Sequence, residues 1–245
     1  MKVAVLILAG GMGKRMKSTT PKVLHKLNEY SILGNIIKKI SDNISNDLFV
    51  VTGKCHNMIK EHLVNELGEL KNKINYVTQE PALGTGHALQ CGFKTLSNYK
   101  GIIVINGDVP FLNINTLKNI IENSDNECIL GICKMDYLDV EWRGHGRIIM
   151  EGETIEKIVE EKDCSEEQKQ ISTINGGLYY FNNSILSKYI NDLDNNNKQK
   201  EYYITDYIGI FVKNMYKVFP VYLEKNEILN INTPEQLATA KKLLS

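Results

Sequence analysis

The sequence predicts an α/β fold: a mostly parallel mixed sheet flanked by helices, with a small β-rich lobe. Three observations predict it. Apolar runs too hydrophobic to leave a wet face alternate with stretches of helical spacing through the first half. Several runs end in Gly or Asp, the punctuation expected where a buried strand meets a loop. In the second half the rhythm changes to shorter apolar segments broken by glycine.

In chain order, "VAVLIL" (3–8) reads as a buried strand, since no residue in it is polar. "SILGNIIKKISDNI" (31–44) has helical spacing, and "DLFVVTG" (47–53) is a second strand closed by Gly53. "NMIKEHLVNELGEL" (57–70) is an amphipathic helix. "INYVTQ" (74–79) is a strand, "GHALQCGFKTL" (86–96) a helix, and "GIIVINGD" (101–108) a strand ending in Asp108. "NINTLKNIIENS" (113–124) and "ECILGICKM" (127–135) repeat the helix–strand alternation. "GRIIMEGETIEKIVEEKD" (146–163) and "INGGLYYF" (174–181) read as hairpin material with glycine turns. "ILSKYINDL" (185–193) is helical, "NNNKQKE" (195–201) an exposed loop, and "YKVFPVYL" (216–223) a strand. "TPEQLATAKKLL" (233–244) is a closing helix, with Thr233 as cap, Pro234 in the first turn and Gln236 completing a capping box.

At 245 residues the chain is expected to form a single domain over 1–245. No hexapeptide repeat of the kind that builds a left-handed β-helix is found. The 29 basic and 29 acidic residues cancel, so no global field draws the chain to nucleic acid or to an anionic membrane. Any anion binding is local. The five cysteines are odd in number, scattered and without a C-x-x-C pair, which predicts reduced thiols. With no signal pattern after the apolar run at 3–9 and no spanning-length segment, a cytoplasmic location is expected.

The chemistry begins after the first strand, where Gly10, Gly11 and Gly13 precede Lys14 and Arg15, and Pro21-Lys22 follows. Glycines let the backbone turn tightly, and successive N–H groups then form an anion-binding concavity. A dinucleotide fingerprint fails, because Gly11-Met12-Gly13-Lys14-Arg15 leads to Met16 rather than glycine. A Walker loop fails too, because no Ser or Thr follows Gly13-Lys14 and the spacer is wrong.

"LAGGMGKRM" followed by "PKVL" resembles the signature of sugar-nucleotide pyrophosphorylases. Lys14 departs from it, standing where that family usually has Thr or Ser. Four further stretches are similar to the uridylyltransferase domain of bacterial N-acetylglucosamine-1-phosphate uridylyltransferases. They are "QEPALGTGHA" (79–88), "NGDVP" (106–110), "IVEEKDCSEEQKQISTING" (158–176) and "EYYITD" (201–206). The resemblance covers essentially the whole chain. It implies a Rossmann-like nucleotidyltransferase domain whose small β-rich lobe binds sugar.

It also implies roles. Leu8, Ala9, Gly10 and Gly11 would line the nucleotide, and Arg15 and Lys22 would contact phosphate oxygens. Gln79 would read the uracil edge, helped by backbone at Gly84 and Thr85; a primary amide offers the donor and the acceptor that edge requires. Gly107 precedes Asp108, which with Asn232 would hold Mg²⁺, a hard cation content with few protein oxygens when phosphate and water complete its shell. Gly146, Glu160 and Asn175 would contact N-acetylglucosamine. Departures cluster near the sugar: His145 replaces the usual Tyr, and Asn175-Gly176-Gly177 stands where Asn-Thr-Gly is usual. His25, His56, His62 and His87 receive no role.

The reaction implied is uridylyl transfer from UTP to N-acetylglucosamine 1-phosphate, catalysed by Arg15, Lys22 and Asp108 through positioning and electrostatics. Alternatives are a related enzyme for another sugar 1-phosphate or nucleotide, such as a UDP-glucose or dTDP-sugar pyrophosphorylase, and a non-catalytic nucleotide-sugar-binding protein. The expected partners are the two small-molecule substrates, with no nucleic acid and no membrane; a homo-oligomer is left open.

Overall fold

In the computed structural model, which describes residues 2–44, 47–136 and 144–244, a nine-stranded sheet forms the middle layer. The first half follows the expected alternation: β1 (Val3–Leu8), α1 (Ile32–Asn43), β2 (Asp47–Thr52), α2 (His56–Leu67), β3 (Ile74–Thr78), α3 (Thr85–Leu96), β4 (Gly101–Asn106), α4 (Ile114–Glu122) and β5 (Cys128–Lys134). The second half adds β6 (Arg147–Glu151), β7 (Thr154–Val159), β8 (Thr173–Asn182), α5 (Asn183–Tyr189), α6 (Asp206–Lys213), β9 (Val218–Tyr222) and α7 (Pro234–Lys242).

The strand order β3-β2-β1-β4-β8-β5-β9 is parallel except for β8, which runs antiparallel to both its neighbours. Period-two alternation puts Val3, Val5 and Ile7 in one core with Leu33, Ile36 and Ile37 of α1. It puts Ala4 and Leu6 in the opposite core with Leu89 of α3 and Phe211 of α6. Both faces of the central strands are therefore covered, which is why their sequences read as unbroken apolar runs. The chain passes from β1 outward to β2 and β3, then returns to place β4 on the other side of β1. That reversal opens a crevice beyond the carboxyl ends of β1 and β4, where Leu8 pairs with Asn106.

Two expectations are corrected. "INGGLYYF" is not hairpin material: Asn175-Gly176-Gly177 runs inside β8, a central strand paired with β4 and β5. Gly177 lies at φ +71°, and a Cβ there would stand 2.6 Å from Asn106 Nδ2, so a register irregularity within the strand, rather than a turn, requires the glycine. The hairpin that does form is β6–β7, joined to the main sheet through the Arg147–Ile174 bridge. The small lobe is thus an outgrowth of the sheet. Finally, Thr233 caps α7 by accepting the Gln236 N–H, but Gln236 Oε1 accepts the N–H of Asn232 instead of that of Thr233. The capping box is displaced by one residue, and the displacement holds Asn232. Among the described residues, no helix is long and apolar enough to cross a membrane.

Ile103 is fully buried in β4, the strand that carries Asp108. Ile103→Ala is expected to lower unfolding stability by about 2–5 kcal/mol, read from urea denaturation midpoints at unchanged slope.

Candidate active site

The crevice is a cleft of about 340 Å³ lined by Leu8, Ala9, Gly10, Gly11, Lys22, Gln79, Gly84, Thr85 and Asp108 among others. Its size suits a small organic ligand. Gly107 anchors the floor by donating its N–H to Leu8 O at 2.9 Å. Among the described residues, the N–H groups of Gly10, Gly11, Met12 and Gly13 donate to no protein acceptor. A run of unspent donors beyond a buried strand is what an anion-binding loop requires. Gly13 lies at φ +61°, and a Cβ on it would meet Lys22 Cβ at 2.4 Å. Only glycine lets the loop pass this close to the lysine.

Lys22 sits on a single 3-10 turn, Lys22–Leu24, whose Val23 and Leu24 are buried and fix it in place. Its ammonium donates to Asp108 Oδ2 at 2.5 Å and to Asn232 Oδ1 at 2.7 Å. Both ion-pair side chains are largely shielded, with 14% and 16% exposure. Asp108 and Asn232 are held together by backbone as well: Ile231 N–H donates to Asp108 O at 2.9 Å. A carboxylate and an amide oxygen therefore converge on one cation. Their donor type suits a hard divalent ion. Among the described residues no group of three His, Cys, Asp or Glu could hold a metal unaided, so such an ion would need oxygens from a ligand or from water.

Gln79 follows β3 and is buried, with its backbone N–H donating to Thr52 O at 2.7 Å. The N-terminus of α3 faces it through Gly84 and Thr85. Asn106 and Glu201 also line the cleft. Sequence reasoning gave them no role; Glu201 belongs to the "EYYITD" stretch, but nothing local to it points toward residues near 80.

The remaining expected residues lie outside this lining. Arg15 is exposed on the turn Lys14–Met16. Gly146 is buried, and its carbonyl accepts the Asn175 N–H at 2.9 Å. Asn175 spends Oδ1 on the Gly177 N–H and one Nδ2 hydrogen on the Tyr179 hydroxyl. The His145 ring donates from Nδ1 to Asn175 O at 3.2 Å, and burial holds its pKa below the usual histidine range. Arg147, fully buried, pairs with Glu161 at 2.7 Å and also donates to His145 O, which ties β6 to the segment carrying Glu160. Glu160 accepts the Thr205 hydroxyl at 2.9 Å, and burial raises its pKa. It lines a separate recess with Asp163, Asp194 and Asp206.

Asp206 is pushed up to about 6, first by burial and then by the charges of Asp194, Glu160 and Asp163. The folded state therefore binds this proton more tightly than the unfolded chain, whose Asp titrates near 3.9. Stability from this group is fully present below about pH 4 and is lost as pH rises through 6. Asp206→Asn should raise Tm relative to wild type more at pH 7.5 than at pH 4. A difference independent of pH contradicts the assignment.

A profile described as "Nucleotidyl transferase" matches residues 4–241. The chain is 36% identical over 249 residues to "Bifunctional protein GlmU" of Clostridium beijerinckii, covering 100% of this chain and 52% of that protein. It is 38% identical over 246 residues to the Acanthamoeba polyphaga mimivirus protein named "Probable UDP-N-acetylglucosamine pyrophosphorylase", covering 96% of this chain and 94% of that one. The chain thus spans about half the length of the bifunctional relatives it matches. In three dimensions it is similar to a UDP-glucose pyrophosphorylase solved with UDP-glucose, with TM-score 0.78, 18% identity, and coverage of 100% of this chain and 98% of the other. The strand order, the glycine loop and these matches together make the chain a member of the nucleotidyl transferase family.

Proposed function

We propose that the chain transfers a uridylyl group from UTP to N-acetylglucosamine 1-phosphate, giving UDP-N-acetylglucosamine and pyrophosphate. The observation that carries this reading is the convergence of Lys22, Asp108 and Asn232 beside a loop of unspent N–H donors. The name of the mimivirus relative, matched over 94% of its length, supports the choice of sugar and base.

The sugar phosphate is ionised at neutral pH, so its oxygen needs no general base. It attacks the α-phosphorus, a new P–O bond forms, and the bond to the β-phosphate oxygen breaks to release pyrophosphate. The obstacle is repulsion between two anions, and the protein's contribution is positioning and charge compensation. The loop N–H groups of Gly10 to Gly13 bind phosphate oxygens, and the Lys22 ammonium lies within reach of the same cleft. Arg15, exposed and uncommitted to Lys22, Asp108 or Asn232, is assigned to the departing pyrophosphate. Mg²⁺ held by Asp108 and Asn232 would supply neutralisation between the two phosphates. Gln79, in the cleft lining, is assigned to the base, and Gly146, Asn175 and Glu160, which lie outside that lining, are assigned to the sugar. The reaction acts on small molecules; nothing in it calls for a nucleic acid or a membrane.

Pyrophosphate release measured across four NTPs and several sugar 1-phosphates, with and without Mg²⁺, tests the reading. UTP with N-acetylglucosamine 1-phosphate and Mg²⁺ should give the highest kcat/KM, with glucose 1-phosphate far poorer. Equal values for both sugars would move the assignment to another sugar phosphate. Asp108→Ala should cost roughly 10²–10³ in rate, the loss typical of one preorganised electrostatic group, while the fold survives. Turnover within a few-fold of wild type removes Asp108 from the mechanism.

A further inference from the structure

The Gln79 side chain has a fixed orientation that the protein itself enforces. Gln79 Nε2 lies 2.8 Å from the carbonyl oxygen of Gly84. A carbonyl only accepts, so the amide nitrogen, not the oxygen, must face it. The same Nε2 lies 3.2 Å from His87 Nδ1. An amide nitrogen only donates, so His87 Nδ1 must be the unprotonated, accepting nitrogen, and the ring proton sits on Nε2. Cys91 Sγ lies 3.6 Å from that nitrogen, one helical turn further along α3. The ring is further confined by Tyr202, whose centroid is 6.4 Å away at a tilt of 38°.

Both hydrogens of the Gln79 amide are consequently consumed inside the protein. What remains is Oε1, which lies 3.4 Å from the place a Cβ on Gly10 would occupy, at the wall of the cleft. No protein donor reaches it among the described residues. The cleft therefore meets an acceptor at this point and no donor.

We infer that His87 is a specificity-determining positioning residue: by accepting from Gln79 Nε2 it locks the amide with Oε1 toward the cleft, so that the site takes a base presenting a ring N–H and rejects one presenting a ring lone pair. This rests on the nucleotide reading given above. Uracil and thymine carry N3–H, which Oε1 can accept. Cytosine carries a bare N3, which would set lone pair against lone pair. Without His87 the second hydrogen on Nε2 loses its acceptor, only the Gly84 carbonyl still holds the amide, and its orientation toward the cleft is less strictly fixed. Selectivity then comes from a residue that need not touch the base.

The test is the ratio of kcat/KM for UTP to that for CTP, in wild type, His87→Leu and His87→Asn. Asparagine carries Oδ1 close to where Nδ1 stands, so it restores the acceptor without the ring. The ratio should fall about tenfold or more in His87→Leu, the scale of one hydrogen bond with its mismatch, mainly through the KM values. It should return toward wild type in His87→Asn. His87→Phe replaces the leucine variant if that one does not fold by circular dichroism. An unchanged ratio in His87→Leu overturns the inference. An equal fall in both variants also overturns it, because the effect then follows the ring and not the acceptor. The dissociation constants of uridine and cytidine monophosphates for the same three proteins give the same ratio without turnover. If the wild type turns over neither nucleotide, the proposed reaction fails, and the binding ratios alone decide the role of His87.

Discussion

The Lys22 ammonium, shared between Asp108 and Asn232, is the interaction on which the rest of the site depends. It joins three segments remote in sequence: the turn after the glycine loop, the end of β4, and the entry to α7. A carboxylate this shielded is costly to leave without a countercharge, and a shielded ammonium likewise. Each partner therefore fixes the others. The same pairing sets a mutually neutralised ammonium and carboxylate at the floor of the cleft.

The sheet explains why these residues meet. β1 and β4 are parallel neighbours although most of a hundred residues separate them, and the order in which strands are added reverses between them. Their carboxyl ends deliver the glycine loop and Asp108 side by side. The antiparallel β8 then inserts beside β4 and brings Gly177 up to Asn106. The residues proposed for the nucleotide and those proposed for the sugar are thus carried on adjacent strands of one sheet. The hairpin β6–β7 hangs from that layer at Arg147, whose buried side chain links the backbone of His145 to Glu161.

Much of this was legible in the sequence where physics is local. β1 and β4 are covered on both faces, so their residues are apolar throughout and announce themselves. The glycine loop shows because a tight approach excludes side chains, as the contact of Gly13 with Lys22 demonstrates. Local signals misled where tertiary pairing decides. Gly176-Gly177 looks like a turn, yet strands on both sides hold it within β8, where it forms a register irregularity. The helix α6 was not foreseen, because "YIGIFV" is rich in β-branched and aromatic residues; burial of Tyr207, Ile208 and Phe211 overrides that propensity. Gln236 was read as capping its own helix, and one residue of displacement turns it into a support for Asn232. His87 carried no readable signal, since its only distinguishing feature is a nitrogen facing an amide eight residues away.

The central claim is that one cleft, floored by Lys22 and Asp108 and walled by Gln79, holds both the base and the phosphates. A crystal structure of the protein soaked with UDP-N-acetylglucosamine and Mg²⁺ measures this most directly. The account predicts the uracil against Gln79 and Gly84, with the diphosphate over the loop of Gly10 to Gly13 beside Lys22. Density for the nucleotide anywhere else, with this cleft unchanged and filled by solvent, would contradict it.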